Sequence, residues 1–148
     1  MSRFVRPEVV TLPISHGDTL TVNRRLNHGQ QTAAYARMYL AGVDGAMKVN
    51  PIASGMALII AYLLDWTLTD DAGHLVEIRD KPTEVIESAL NALDQESFVE
   101  IKEAIEAHEL AMATARAEEK KLQAGASASP ATSPSPDAVT GATNGSSP

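Results

Sequence analysis

Four side chains that could bind a metal ion lie close together in the middle of the chain. They are Asp65, Asp70, Asp71 and His74, and carboxylates and imidazoles are ordinary metal ligands. Their spacing does not match a calcium-binding loop, which places a glycine sixth and a glutamate twelfth. A hairpin turn beside a helix-terminal aspartate explains the same residues, because Asp is a common turn former. We therefore expect no metal site and no cofactor.

Catalysis would need a positioned nucleophile or a phosphate-binding loop, and the sequence contains neither pattern. There is no cysteine, which excludes disulfides, thiolate nucleophiles and cysteine-type zinc sites. No serine lies in a G-x-S-x-G elbow, and no glycine-rich phosphate loop occurs. The many glutamates of residues 96–109 are interpreted as solvated charges on a helix. The sequence therefore predicts a protein that is not an enzyme.

A narrow apolar stripe within residues 93–122 is the most informative pattern. Its members recur at intervals of three and four, which places them on one face of a helix, while glutamates occupy the other faces. The stripe is closer in width to a coiled-coil seam than to a full core face. We therefore predict that it binds a partner protein through Phe98, Ile101, Ile105, His108 and Met112.

The two ends of the stripe have different expected roles. Its early positions are expected to join the core, whereas positions past His108 extend beyond a compact domain, since a helix rises about 1.5 Å per residue. Ile105 and Met112 are therefore expected to face a partner, which is either a second copy or another protein. His108 leaves two interpretations open, a pH-sensitive interface residue or a packed histidine bonded to a backbone carbonyl.

The charge of the chain limits the classes of partner. The 148 residues carry 19 acidic and 12 basic side chains, a net charge of −7. This balance argues against binding to nucleic acid, which requires Lys and Arg to neutralise phosphates. Arg24, Arg25 and Arg37 could form a basic patch, but local salt bridges are the favoured interpretation. The longest apolar run, residues 52–64, is shorter than the roughly 20 residues that cross a bilayer, so we expect no membrane segment.

The sequence predicts a mainly α domain with small β-hairpins. This is an α+β fold with four helices, the last of which is long. Hairpins are predicted over residues 9–24, with Pro13 in an edge strand, and over residues 66–78. Segment 43–49 is predicted to be a loop. The helices are predicted from Asn27 to Gly42, from Pro51 to Trp66, from Thr83 to Leu93 with Val85, Ile86, Ala89, Leu90 and Leu93 inward, and from Asp94 to Leu122.

Capping residues and composition mark the boundaries. Asn27 and Gln30 have the spacing of a capping box, and Asn50 precedes a proline at the first helical position. Gly55, inside an apolar helix, suggests the close approach of another backbone. The division expected is an N-terminal arm over 1–8, a helical domain with two hairpins over 9–123, and a disordered tail rich in Ala, Ser, Pro, Thr and Gly over 124–148.

Three stretches carry a resemblance to a known family. They are LTVNRRL at 20–26, LDWTLTDDAG at 64–73 and ALDQESFVEIKEAIEAHE at 92–109. In this order and in a chain of this length they resemble the tail assembly chaperones of long-tailed bacteriophages. The likeness covers most of residues 8–121, and the family has no catalytic motif to compare.

The resemblance implies a function, a set of partners and a location. Such chaperones bind the helix-rich tape-measure protein in the cytoplasm of the infected bacterial host and support polymerisation of the tail tube. They are not part of the mature virion. Many also exist in a longer form, made by ribosomal frameshift, whose extension recruits the tail-tube protein, and this chain resembles the short form. The alternative is a virion structural protein, either a head–tail connector or a minor tail component.

Overall fold

The computed structural model describes residues 2–42 and 44–127. Residues 1–112 form one compact unit, and a second unit begins at Ala113. In the second unit the described residues are helical as far as Ser127, so the helix extends past the predicted start of the tail at residue 124. The rest of the predicted tail, residues 128–148, lies outside the described residues.

The expected α+β class with four helices and a long C-terminal helix is confirmed for the described part of the chain. The strands are β1 (Val9–Pro13), β2 (Thr19–Asn23), β3 (Tyr39–Ala41), β4 (Met47–Val49) and β5 (Leu63–Trp66). The helices are α1 (His28–Met38), α2 (Pro51–Tyr62), α3 (Thr83–Asn91) and α4 (Gln95–Ser127), and a single 3-10 turn covers Ser15–Gly17.

The first hairpin forms as predicted and supplies two strands of the main sheet. β1 and β2 are antiparallel, and β5 pairs with the other side of β2, which gives the strand order β1-β2-β5. Pro13 therefore lies in an edge strand, where its missing N–H breaks no ladder bond. Alternation along β2 buries Leu20 and Val22 completely, and this face of the sheet covers the core.

α1 begins as predicted but ends early. Asn27 and Gln30 form the reciprocal capping box, with each side chain accepting the other's backbone N–H. The helix stops at Met38 rather than Gly42, and β3 follows and pairs with β4 in a two-stranded sheet. The predicted loop over 43–49 is therefore partly wrong. A strand of three residues is too short to show the alternation of apolar and polar residues by which strands are predicted from sequence.

α2 also begins as predicted and ends early. The Asn50 side chain accepts the Ile52 backbone N–H, and Pro51 occupies the first turn. The apolar run predicted to remain helical to Trp66 changes to a strand after Tyr62, since β5 pairs with β2. A continuous apolar run fits a buried helix and a buried strand equally well, and only the pairing with β2 decides between them.

The second predicted hairpin forms in a shorter version, without regular strands. Thr69 and Leu75 form an antiparallel bridge, and the backbone N–H groups of Asp70 and Val76 donate to the carbonyls of His74 and Leu68 at 2.8 and 3.0 Å. The Trp66 indole N–H donates to the carbonyl of Val76 at 2.7 Å, which fixes the returning chain on the core.

One core cluster unites the main sheet with α2, α3 and the first turns of α4. Its fully or nearly buried members are Leu20, Val22, Ile59, Tyr62, Leu63, Trp66, Ile78, Leu90, Ile101 and Ile105. On α3, Leu90 is buried and Ile86, Ala89 and Leu93 pack against the cluster, as predicted. Val85 is 42% exposed, so its predicted inward position is wrong. It lies one position before Ile86 and therefore turns away from the core face.

Gly55 of α2 is buried, but no backbone approaches it closely. The aliphatic stem of Lys102 lies there instead, with Cδ 3.0 Å and Cε 3.2 Å from where a Cβ on Gly55 would stand. The expectation of a backbone contact is wrong, although the inferred crowding is present.

Replacing Gly55 by alanine should therefore be neutral or slightly stabilising. The gain in helix propensity is about 1 kcal/mol, and the cost is a small displacement of a flexible side chain. Urea unfolding followed by circular dichroism measures the difference. A loss of more than about 1 kcal/mol would show that Lys102 cannot move.

Candidate partner-binding surface

The predicted partner-binding stripe lies largely inside the compact unit. Ile101 and Ile105 are 1% and 0% exposed and belong to the core cluster. The expectation that Ile105 faces a partner is therefore wrong. The main sheet and the end of α2 accompany α4 further than expected, as far as His108, so that the chain itself covers these positions.

His108 is a packed histidine, which was the simpler of the two interpretations. Its Nε2 lies 3.2 Å from the carbonyl oxygen of Asn23 and 3.0 Å from that of Arg24. Because a carbonyl can only accept, Nε2 carries the hydrogen of the ring. The ring also meets Tyr62 edge to face, with centroids 5.8 Å apart. His108 thus joins α4 to the end of β2.

Tyr62 and Glu109 form the polar border of this contact. The Tyr62 hydroxyl donates to a Glu109 carboxylate oxygen at 3.1 Å. Burial, and then the neighbouring Glu109 carboxylate, raise the pKa of Tyr62. The phenol therefore stays protonated and acts as a hydrogen-bond donor rather than as a base or nucleophile.

Phe98 and Met112 are the stripe residues that remain partly exposed. Phe98 packs against the core cluster. The prediction that these two side chains contact a partner remains a prediction, and the buried members of the stripe cannot take part without unfolding.

Two of the four candidate metal ligands accept hydrogen bonds from nearby backbone N–H groups. An Asp65 carboxylate oxygen accepts the backbone N–H of Trp66, and one of Asp70 accepts those of Ala72 and His74. The His74 side chain lies beside the other oxygen of Asp70, with Nδ1 at 3.9 Å. Within residues 2–42 and 44–127, no group of three or more His, Asp or Glu side chains is arranged to hold a metal ion.

Of the three arginines, Arg24 forms the predicted salt bridge and, among the described residues, Arg37 does not. Arg24 pairs with Glu8 at 2.7 Å, as the salt-bridge interpretation predicted, and this contact lowers the pKa of the Glu8 carboxyl. In the described part of the chain no carboxylate lies within 4.0 Å of the Arg37 guanidinium. Arg37 is exposed and lies in the last turn of α1.

An exposed apolar surface lies on the two-stranded sheet of β3 and β4, where sequence analysis placed a loop. Tyr39 and Val49 are directly opposite each other, and Met47, two residues from Val49, shares their face. These side chains are 38%, 54% and 62% exposed. In the sequence, the apolar residues Met47 and Val49 within a predicted loop were the only indication of this strand.

Two further apolar side chains lie in the helical turns that adjoin this sheet. Tyr35, in the last turns of α1, is 56% exposed, and Ile52, in the first turn of α2, is 90% exposed. The backbone N–H of Asn50 donates to the Met38 carbonyl at 2.6 Å, which ties both helix ends to the sheet. We call Tyr35, Tyr39, Met47, Val49 and Ile52 the ribbon surface.

A groove of about 280 Å³ runs between α1 and α2. Small side chains create it, since Ala33 and Ala34 of α1 face Ala57 and Ala61 of α2. Gln30 and Arg37 of α1 contribute polar groups, while Ile60 and Leu64 contribute apolar ones. We call this depression the α1–α2 groove.

Across the described residues, none of the helices combines the length and the apolar character needed to cross a membrane. Comparison of the chain with known protein families, with curated proteins and with solved structures found no match.

Proposed function

We propose that this protein is a tail assembly chaperone of a long-tailed bacteriophage. It is not an enzyme in this proposal. It binds the tape-measure protein in the cytoplasm of the infected bacterium, keeps it soluble and supports polymerisation of the tail tube. Support comes from the resemblance of residues 20–26, 64–73 and 92–109 to that family.

The observation that carries the proposal is the ribbon surface. Large apolar side chains are exposed there on a compact unit that has already buried a core of its own. Tyr39, Met47 and Val49 share one face of the β3–β4 sheet, and exposed apolar patches commonly mark sites of protein–protein interaction. A two-stranded sheet is also marginal alone and gains stability when a partner covers it.

The remaining surface suits a protein that must stay soluble while it holds an apolar partner. The whole chain carries −7, and the exposed faces of α4 are rich in glutamate. Net charge of this size opposes self-association and precipitation. The ribbon surface would thus bind the tape-measure protein while the rest of the molecule faces water.

The partners of the proposed chaperone follow from its family. It contacts the tape-measure protein directly, and a longer frameshifted form would bring the tail-tube protein to the complex. The chaperone leaves before the virion is complete.

Substitution of the ribbon surface should abolish binding without unfolding the protein. In the variant Met47→Ser, Val49→Ser the exposed sheet keeps its backbone but loses most of its apolar contact area. Co-expression with a tape-measure fragment should then leave that fragment in the pellet, whereas the natural sequence keeps it in the supernatant.

A matched control replaces two exposed apolar side chains elsewhere, Leu75→Ser and Val85→Ser, which are 52% and 42% exposed. The control should keep the fragment soluble. If the tape-measure fragment is equally soluble with both double variants, the ribbon surface does not bind it. A natural chain that fails to solubilise any fragment would contradict the proposal itself.

The alternative is a virion structural protein, a head–tail connector or minor tail component. The open edges of the β3–β4 sheet favour it, because unpaired edges can add strands in an assembly. Mass spectrometry of purified particles separates the two functions. A structural protein is present in every particle, whereas a chaperone is missing from them.

A further inference from the structure

The α1–α2 groove indicates the chemistry of the segment that this protein binds. We propose that the groove receives an apolar side chain of an acidic, amphipathic helix in the partner, and that Arg37 binds a carboxylate of that helix. This inference rests on the proposed function for the identity of the partner. It adds to the proposed function a second contact site besides the ribbon surface, and it specifies that the bound segment is acidic.

The shape of the groove fits one large apolar side chain. Methyl groups of Ala33, Ala34, Ala57 and Ala61 line it and leave about 280 Å³. Ile60 is half-buried and Leu64 is 37% exposed, so both offer apolar surface to an incoming group. Helices that dock in grooves between other helices anchor themselves through single apolar side chains in this way.

Arg37 gives the groove its charge. The guanidinium is exposed and has no carboxylate within ion-pair distance among the described residues. Among the described residues, none of those that line the groove is acidic. An arginine in this position favours a carboxylate, because its planar N–H groups match the two carboxylate oxygens.

The charge of the surrounding chain favours the same kind of partner. Residues 19–62, from the start of β2 to the end of α2, contain four basic residues and one acidic residue, a net charge of +3, or +2 once the pairing of Arg24 with Glu8 is counted. The whole chain carries −7, so the other residues together carry −10. The groove and the ribbon surface therefore both belong to the basic part of an acidic chain, and such a part attracts an acidic segment.

Two matched helical peptides of about five turns test the inference. Both carry the same leucine stripe, and the flanking positions are glutamate in one and lysine in the other. Fluorescence anisotropy with the full chain should show the glutamate peptide binding at least about tenfold tighter at low salt, and the difference should shrink as salt screens the charges.

Arg37→Glu should remove this preference, and Arg79→Glu, an exposed arginine outside the groove, should retain it. Ala33→Phe, which fills the groove at an exposed position, should weaken binding of both peptides. Circular dichroism verifies that each variant is folded.

Equal binding of the two peptides, no binding of either, or an unchanged preference in Arg37→Glu would overturn the inference. If Arg37→Glu instead abolishes self-association in sedimentation and neither peptide competes, the occupant is a second copy, and the inference fails. The co-expression assay is a separate readout. A peptide preference without tape-measure solubilisation would refute the proposed function alone, and solubilisation without the preference would refute only the role of the groove.

Discussion

Replacing Ile105 by lysine should unfold the compact unit. The side chain is 0% exposed and lies in the core cluster. The substitution removes a buried apolar group, which costs about 2–5 kcal/mol, and adds an unpaired charge, which costs several kcal/mol more. The sum is comparable with the whole stability of a small domain, about 5–15 kcal/mol. Circular dichroism and the soluble fraction after expression measure the loss.

Met112→Lys is the matched control, because the same substitution is made on the same helix at a partly exposed position. Its free energy of unfolding should stay within about 0.5 kcal/mol of the natural value, as is usual for surface changes. If the Ile105 variant folds with natural stability, α4 does not pack as described. The stripe would then be available to a partner after all.

The predicted helix starts were correct because they depend on a few neighbouring residues. Asn27 with Gln30 and Asn50 with Pro51 satisfy the first backbone N–H groups of their helices locally. Asp94 does the same for α4, since its carboxylate accepts the backbone N–H and the hydroxyl of Ser97. These bonds also lower the pKa of Asp94. No information from distant parts of the chain is needed for such contacts.

The errors occur where a distant strand decides the local structure. Residues 63–66 continue the apolar run of α2, and they become β5 only because β2 offers a free edge. Residues 39–41 are compatible with the helix that precedes them and become β3 by pairing with β4. Pairing energy between segments distant in sequence overrides helix propensity in both cases.

The burial of Ile101, Ile105 and His108 was not foreseen for a related reason. Spacing along α4 correctly put Ile101, Ile105 and His108 on one face, but spacing does not show what covers that face. The carbonyls of Asn23 and Arg24, which bind His108, are more than eighty residues away in the chain. The ribbon surface was missed because its apolar residues are distributed over two helix ends and two very short strands.

The same substitution at two positions of α2 should separate folding from partner binding. Ile59 is 0% exposed and belongs to the core cluster, whereas Ile52 is 90% exposed and belongs to the ribbon surface. Ile59→Asp buries a carboxylate for which the core supplies no charged partner, at a cost of several kcal/mol. This variant should be insoluble or lack a cooperative thermal transition.

Ile52→Asp should instead fold normally. Its carboxylate would lie in water in the first turn of α2, where the helix dipole favours negative charge by about 0.3–1 kcal/mol. Its melting temperature should therefore equal or slightly exceed the natural value. Yet the variant should fail to keep a tape-measure fragment soluble, because it removes the most exposed apolar side chain of the ribbon surface and opposes an acidic partner. A folded Ile52→Asp variant that still solubilises the fragment would exclude Ile52 from the interface. A folded Ile59→Asp variant would show that α2 does not form the centre of the core.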